Sequence, residues 1–347
     1  MITIVIPCRN ERDFIGPVLD SLESQQWPDQ WEILVADGMS EDGTRAVLEG
    51  YCRKNSRIRM IDNPTRTVSA GLNQAICQAQ GDIILRVDAH TEYAPDYVAQ
   101  CVRTLDSSGA ENVGGPARTR AEGIVQSTIA AAYHSSFSTG GASFHDDSYE
   151  GYADTVPYGC WRKSTLEQIG MFDEALVRNQ DDELNLRLIR AGGTIWQSPK
   201  IVSWYRPRSS LAALFRQYFQ YGFWKWEVIR KHRIPASWRH LVPGAFVLGN
   251  VTLPAGAAIA ALAQDPALSR FLLALWLIET AVYGAACLAA SARAAKRHGW
   301  KLLPLLPLVF VIYHASYGLG FLANIFYRSL SPSGPMQPSR LFTSLTR

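Results

Sequence analysis

Acidic residues nearly vanish between Leu241 and Ala323, where apolar side chains dominate, whereas up to about Tyr205 hydrophobic residues come in short runs broken by charge. The near-zero mean hydropathy therefore averages a soluble domain with a membrane domain. Cysteine is sparse. Cys8, Cys52, Cys77, Cys101, Cys160 and Cys287 form no CxxC pair and no short repeating spacing. Neither a zinc site nor a disulfide framework is indicated, and a reducing compartment fits. Any signal-peptide pattern is also missing: Met1 leads straight into "ITIVIP", with no basic n-region and too few residues for an h-region. This predicts that the N-terminal domain stays in the cytoplasm. A net charge of +3 makes no case for nucleic acid. The basic residues cluster near the membrane segments, where anionic headgroups attract them. The first βα turn reads "PCRNER" and lacks G-x-G-x-x-G, which disfavours a dinucleotide-dependent oxidoreductase.

What is present is a regular alternation. Apolar runs of strand length, "ITIVIP" (2–7), "EILVAD" (32–37), "IRMID" (58–62) and "DIILRVD" (82–88), are separated by helix-length amphipathic segments. Continuous apolar strands joined by helices predict a mostly parallel α/β sheet covered on both faces. Right-handed crossovers then put the ligand crevice beyond the carboxyl ends of the strands. Three of those ends are polar: "PCRNE", "DGMSEDGT" and "DAH". Residues 135–160, rich in Ser, Gly, Asp and Tyr, read as a long loop, followed by two helices within 162–174 and 179–193.

Beyond residue 205, "SSLAALFRQYFQYGFWKWEVIRKHR" (209–233) mixes aromatic and basic residues. It reads as an amphipathic helix in the headgroup plane, aromatic residues inward and cations outward. Segments 241–263, 267–292 and 302–323 each exceed the roughly 20 residues that cross a bilayer. The first is interrupted by Pro243, Asn250 and Pro254, so a re-entrant pair is an alternative. The basic loop 293–301 predicts a cytoplasmic side for that turn and an outer side for the tail at 324–347. Glu279, inside the second span, should face protein or the interface. The expected domains are 1–205, 206–240, 241–323 and 324–347.

The strand ends carry the chemistry. Asp37 faces the crevice and would accept a hydrogen bond from a nucleobase, while Asp42 caps the following helix. Asp88 and His90, two apart, share one face if the chain is extended. They would then hold one divalent ion together, or one would bind metal while the other positions the sugar. An imidazole suits Mn²⁺ at least as well as Mg²⁺. Asp181, Asp182 and Glu183 open a helix, where acids complement the macrodipole. They also supply a candidate general base.

Taken together, "IVIPCRNE", "VADGMSEDGT", "AGLNQAI", "GDIILRVDAH" and "NQDDELNLRLIRAGG" resemble the family 2 glycosyltransferases with the GT-A fold over residues 1–205. The Asp-Ala-His and Gln-Asp-Asp-Glu forms, with the aromatic-basic helix and membrane spans, are similar to the ExoA-type succinoglycan glucosyltransferases. The resemblance implies that Pro7, Arg9 and Glu11 contact the nucleotide and that Asp37 reads uracil. It implies that Asp88 begins the Asp-x-Asp metal motif, with His90 in place of its second Asp. Asp181 is the implied catalytic base, Gln180 standing where the family has Glu. Asp182, Glu183, Arg216, Gln217 and Lys225 would border the acceptor and diphosphate. The absence of Gln-x-x-Arg-Trp implies one sugar per encounter. The implied reaction is inverting transfer of a hexose, glucose from UDP-glucose, assisted by Mn²⁺ or Mg²⁺. Its acceptor would be a polyprenyl-diphosphate-linked sugar at the bacterial inner membrane, alongside polysaccharide assembly machinery. A polyprenyl-phosphate sugar synthase and a catalytically degenerate nucleotide-binding subunit are the alternatives.

Overall fold

A computed structural model describes residues 1–27 and 30–330. Its strands are β1 (Ile2–Cys8), β2 (Trp31–Asp37), β3 (Ile58–Asp62), β4 (Ile83–Arg86), β5 (Glu92–Tyr93), β6 (Asn112–Gly114), β7 (Arg118–Thr119), β8 (Gly151–Tyr152), β9 (Cys160–Arg162), β10 (Ile195–Gln197) and β11 (Ser203–Tyr205). Its helices are α1 (Arg12–Glu23), α2 (Thr44–Lys54), α3 (Val68–Gln78), α4 (Tyr97–Ser108), α5 (Gly123–Tyr133), α6 (Ser136–Thr139), α7 (Lys163–Ile169), α8 (Gln180–Arg190), α9 (Leu211–His232), α10 (Val242–Leu262), α11 (Pro266–His298) and α12 (Leu306–Leu330). Two compact units result. One comprises Met1–Arg120 and Ala142–Arg206, the other Ala121–Gly141 and the chain from Pro207 onward. The expected tail begins inside α12, and residues 331–347 lie outside the described ones.

In the first unit the large sheet runs β3-β2-β1-β4-β9-β6-β10-β8. The four strands expected from the alternation are parallel and adjacent, with Ile4 of β1 opposite Ile33 of β2 and Leu85 of β4. Alternating side chains feed two cores. Ile4, Ile6, Ile33, Val35 and Leu85 pack with Ile15, Leu19, Leu48 and Val98, while Val5, Leu34, Ala36 and Ile84 pack with Leu72, Ile76, Leu166 and Leu184. The strand β9 was not expected. It enters antiparallel between β4 and β6, and only three residues long it is too short to leave a periodic signal. A second sheet, β5-β11-β7, stands beside the first.

Segment 135–160 is largely irregular, as expected, but it is tied down. The buried Gln197 amide donates to the backbone carbonyls of Ser143, Asp146 and Tyr149, at 3.3, 2.9 and 3.4 Å. Its first residues fold into α6, which with α5 belongs to the second unit.

Among its described residues that second unit contains three helices long and apolar enough to cross a membrane. Pro243 sits in the first turn of α10, where a missing N–H is tolerated, and the helix continues through Pro254. Two boundaries differ from expectation. The basic stretch 293–301 is mostly the last turns of α11, because Ala, Arg and Lys sustain a helix until Gly299 at φ 120°. The third helix starts at Leu306 and runs to Leu330. Glu279 faces α10, where Gly249 leaves room for its carboxylate and Asn250 Nδ2 lies 3.5 Å away.

The helix expected in the headgroup plane is α9, and one face of it is buried against α12. A Cβ added at Gly222 would lie 1.9 Å from the Tyr317 carbonyl oxygen, and one at Gly320 would lie 2.0 Å from that of Phe219. The two backbones therefore touch. Asn324 Nδ2 donates to the Phe223 carbonyl at 2.7 Å, and Arg328 pairs bidentately with Glu227 at 2.8 and 2.9 Å. The expected sorting of aromatic residues inward and cations outward holds incompletely: Lys225 is buried while Phe215 is exposed. Burial on α9 thus does not sort by residue polarity. Gly320→Ala should lower the thermal midpoint of the detergent-solubilised chain by several degrees, as overpacking of about 1–3 kcal/mol does. Gly284→Ala, where an added Cβ meets nothing within 4 Å, should leave it unchanged.

Candidate active site

The carboxyl ends of β1 to β4 form one edge of the first unit. Beyond Val5 opposite Arg86 the β1–β4 ladder ends, so Pro7 stands where β1 pairs only with β2, and its missing N–H breaks no central ladder. The two loops that follow interlock. Asn10 N donates to Ser40 Oγ at 2.8 Å, Glu41 N to Asn10 Oδ1 at 2.9 Å, and Glu11 N to Thr44 Oγ1 at 2.8 Å. Gly38 packs closely here: a Cβ would sit 3.2 Å from the methylene stem of Arg9, which would have to shift. Asp42 accepts from the Thr44 N–H at 3.0 Å and from the Arg12 N–H at 3.3 Å. The N-cap itself is Gly43, so the expected cap acts from one residue further out.

Asp37 ends β2 wholly buried. One oxygen takes the Ser40 hydroxyl, and the other takes the Ser40 N–H at 3.1 Å and Arg45 Nη1 at 2.7 Å. Arg45 also bonds Asp62, at the end of β3, at 2.7 Å. Ser40 and Arg45 thus occupy both oxygens of the Asp37 carboxylate.

The strand β4 ends at Arg86, earlier than the sequence suggests. Tyr93 Oη accepts the Asp88 N–H at 2.8 Å and bonds its carbonyl at 3.3 Å, which takes Asp88 out of the ladder. Ala89 and His90 lie in a turn, so the same-face argument for an extended Asp88 and His90 does not hold. His90 instead places Nδ1 3.5 Å from Glu11 Oε1 and is 42% exposed. The residues on a common side are Arg86 and Asp88, with Val87 buried between them.

Arg86 joins the site together. Its Nε and Nη2 both lie 3.1 Å from Asp88 Oδ1, and its Nη1 bonds Asp181 Oδ1. Asp181 is carried by the first turn of α8. Ser69 and Asn73 of α3 hold the segment before α8 through the carbonyls of Leu176 and Phe172, and Asn185 of α8 bonds Asn112 at 2.9 Å and Thr155 at 2.8 Å. Beside Asp88, Tyr158 at φ 61° bonds Thr91 at 2.7 Å. Burial pushes the Tyr93 and Tyr158 phenols up, and the Asp88 charge adds to the effect, so both stay neutral.

The remaining expected residues are placed as follows. Asp182 lies next to Asp181 and half-buried. Glu183 turns away: it is wholly buried and pairs with Arg187 at 2.8 Å, whose guanidinium also holds the carbonyls of Ile169 and Met171. Residues two apart on a helix do not share a face. Arg216, Gln217 and Lys225 lie on α9 in the second unit, where Gln217 accepts from Arg208 Nε at 3.0 Å and donates to Tyr221 at 2.9 Å. Sequence reasoning missed Arg86, Tyr93 and Tyr158. Only Arg86 had a signal, as the single cation in the apolar run "IILRV".

Burial pushes Asp181 up to about 6, Arg86 opposes that, and Asp88 and Asp182 add to it. The side chain keeps 35% of its surface open, so this carboxylate is both shifted and reachable. Among the described residues no group of three or more His, Cys, Asp or Glu side chains is placed to hold a metal ion. Asp88 Oδ2 makes no hydrogen bond among the described residues, and His90 faces outward. Asp88 Oδ2 is the kind of oxygen donor a hard divalent ion takes, its other ligands being diphosphate oxygens and water.

A parallel sheet with an inserted antiparallel strand, and acids gathered at its carboxyl edge, defines a GT-A-like transferase. Three comparisons narrow the class. Residues 3–159 match the family described as Glycosyl transferase family 2. The succinoglycan biosynthesis protein ExoA of Rhizobium meliloti (strain 1021) is 30% identical over 324 residues, 92% of this chain and 93% of that one. A dolichyl N-acetyl-α-D-glucosaminyl phosphate 3-β-D-2,3-diacetamido-2,3-dideoxy-β-D-glucuronosyltransferase of Methanococcus voltae is 31% identical, over 71% of this chain and 78% of that one. Among solved structures, the mannosyltransferase PcManGT from Pyrobaculum calidifontis, in complex with GDP-Man and Mn²⁺, shares the fold with a TM-score of 0.59 at 18% identity, over 94% of this chain and 87% of that one. The chain belongs to the family 2 glycosyltransferases, and within them to the ExoA type. It is a glycosyltransferase.

With Asp181 as base, turnover should rise through about pH 6 and level off above it, since the carboxylate accepts a proton only when ionised. At pH 5 the rate should be about tenfold below the plateau. A rate unchanged between pH 5 and pH 7 would remove Asp181 from that role.

Proposed function

We propose that this chain is an inverting, non-processive hexosyltransferase that moves one glucose from UDP-glucose onto a polyprenyl-diphosphate-linked sugar in bacterial exopolysaccharide assembly. It works at the cytoplasmic face of the inner membrane. The observation that carries the reading is the joining of Asp88 and Asp181 through Arg86 at the carboxyl edge of the sheet. Similarity to ExoA along nearly the whole chain supports the pathway, and three apolar helices support an acceptor that stays in the bilayer.

In this reading Pro7, Arg9 and Glu11 border the nucleotide, and uracil lies at the Asp37 end once Arg45 swings toward Asp62. Asp88 and His90 would hold a divalent ion, Mn²⁺ or Mg²⁺, which supplies positive charge against the departing diphosphate. Asp181 takes the proton of the acceptor hydroxyl. The acceptor oxygen forms its bond to the anomeric carbon from the face opposite the UDP oxygen, whose bond breaks, so an α-linked donor yields a β-glycoside. Asp182, half-buried beside Asp181, is the residue of the acidic cluster proposed to border the acceptor, while Glu183 holds the turn before the helix through Arg187. The archaeal relative is named for transfer onto a sugar carried by a dolichyl phosphate, which favours a sugar acceptor over bare lipid phosphate.

A panel of UDP-sugars, offered with Mn²⁺ or Mg²⁺ and defined lipid-linked acceptors, should show label transfer from UDP-glucose to the diphosphate-linked sugar. Transfer to bare polyprenyl phosphate would make the protein a polyprenyl-phosphate sugar synthase. Asp181→Asn should abolish turnover and leave UDP binding intact, and an active variant would mean another base. His90→Asp should keep activity while shifting metal preference toward Mg²⁺, whereas His90→Ala should lose most of it. Equal activity in all three enzymes would remove His90 from the ligands.

A further inference from the structure

The expected base and the expected donor-side acid do not touch each other. What lies between them is a guanidinium no motif points to. Arg86 is the last residue of β4, a central strand flanked by β1 and β9, and its backbone N–H donates to the Gly159 carbonyl at 3.1 Å. Its side chain is 5% exposed. A cation so buried must be paired to remain there. Its hydrogen-bond partners are the two carboxylates, Asp88 on the Nε/Nη2 edge and Asp181 on Nη1.

We propose that Arg86 is a positioning residue for the transfer reaction, holding Asp181 where it receives the acceptor proton and keeping it in fixed relation to Asp88. The inference rests on Asp181 being the base. Three observations support it. The planar fork cannot turn to serve one acid without leaving the other, so the two carboxylates are set relative to one rigid group. The strand that carries Arg86 is anchored on both sides by ladder hydrogen bonds, whereas Asp181 sits in the first turn of α8, next to Asn179 at φ 60°. Arg86 therefore transmits the rigidity of the sheet to the first turn of a helix. Finally, Asp88 and Asp182 both place negative charge beside Asp181, and a nucleotide diphosphate would add more. Arg86 is the resident cation that lets Asp88 and Asp181 face the same space.

The test uses the full chain in detergent micelles, with the nucleotide sugar that the unaltered enzyme turns over and with UDP as the binding probe. Arg86→Lys keeps the charge and loses the fork. It should lower kcat roughly 10- to 100-fold, the size of one charge-assisted hydrogen bond, with donor KM and UDP affinity changed less than about threefold. Arg86→Met should lose more, and added guanidinium should restore part of its kcat. If Arg86 acts through Asp181, adding Arg86→Lys should lower no further whatever residual rate Asp181→Asn shows in a single-turnover assay at high enzyme concentration. Unchanged kcat in folded, UDP-binding Arg86→Lys overturns the inference, as does a loss confined to donor KM or an additive double variant. An active Asp181→Asn enzyme instead overturns the base assignment beneath it. Should Arg86→Met fail to fold, Arg86→Lys and the double variant decide alone.

Discussion

A guanidinium taken out of water must find negative charge, and in this protein that requirement organises the site. Arg86 reaches the carboxyl edge of the sheet from its middle, and the two acids it needs come from opposite directions. Asp88 follows directly along the chain, whereas Asp181 arrives at the start of α8, only after strands β5 to β9 and helices α4 to α7. Much of the surrounding hydrogen bonding serves that arrival. Ser69, Asn73, Asn112 and Asn185 each fix the approach to α8 or the helix itself. Their buried hydroxyl and amide groups are worth having because unmade hydrogen bonds in a protein interior are expensive.

The parallel half of the fold was legible in the sequence because its strands are buried on both faces and its connections are helices of ordinary length. Strands of two or three residues, such as β8, β9 and β10, hold too few residues to show a period, and their places in the sheet depend on pairing with distant segments. The site divided along similar lines. Asp37, Asp88 and Asp181 could be picked out from their positions at strand and helix ends. His90 could not be placed, since Tyr93 ends the strand from five residues downstream of Asp88 and turns the histidine toward Glu11. Glu183 shared a cluster with Asp181 on paper, yet helical geometry and Arg187 send it into the core. A side chain's partners, more than its own chemistry, decided each outcome.

Polar groups do comparable work in the second unit. Where α9 and α12 cross, glycines bring the backbones into contact and polar side chains flank the crossing: Asn324 on a carbonyl, Arg328 on Glu227. Close approach of this kind gains van der Waals contact where lipid would offer no hydrophobic drive between helices. It also helps explain why the face of α9 could not be read from residue polarity, because Glu227 and the Phe223 carbonyl are buried there with partners on α12.

The path of the chain carries a further consequence. It leaves the first unit after Arg120, returns at Ala142 and leaves again after Arg206, and the excursion includes α5, whose Ile129, Ala131 and Ala132 pack with Leu214, Phe310 and Tyr313. A protein cut at residue 206 would retain this helix and strip it of every one of those neighbours. The transferase half is thus no detachable module, and neither half could be exchanged between relatives by a single crossover without orphaning α5.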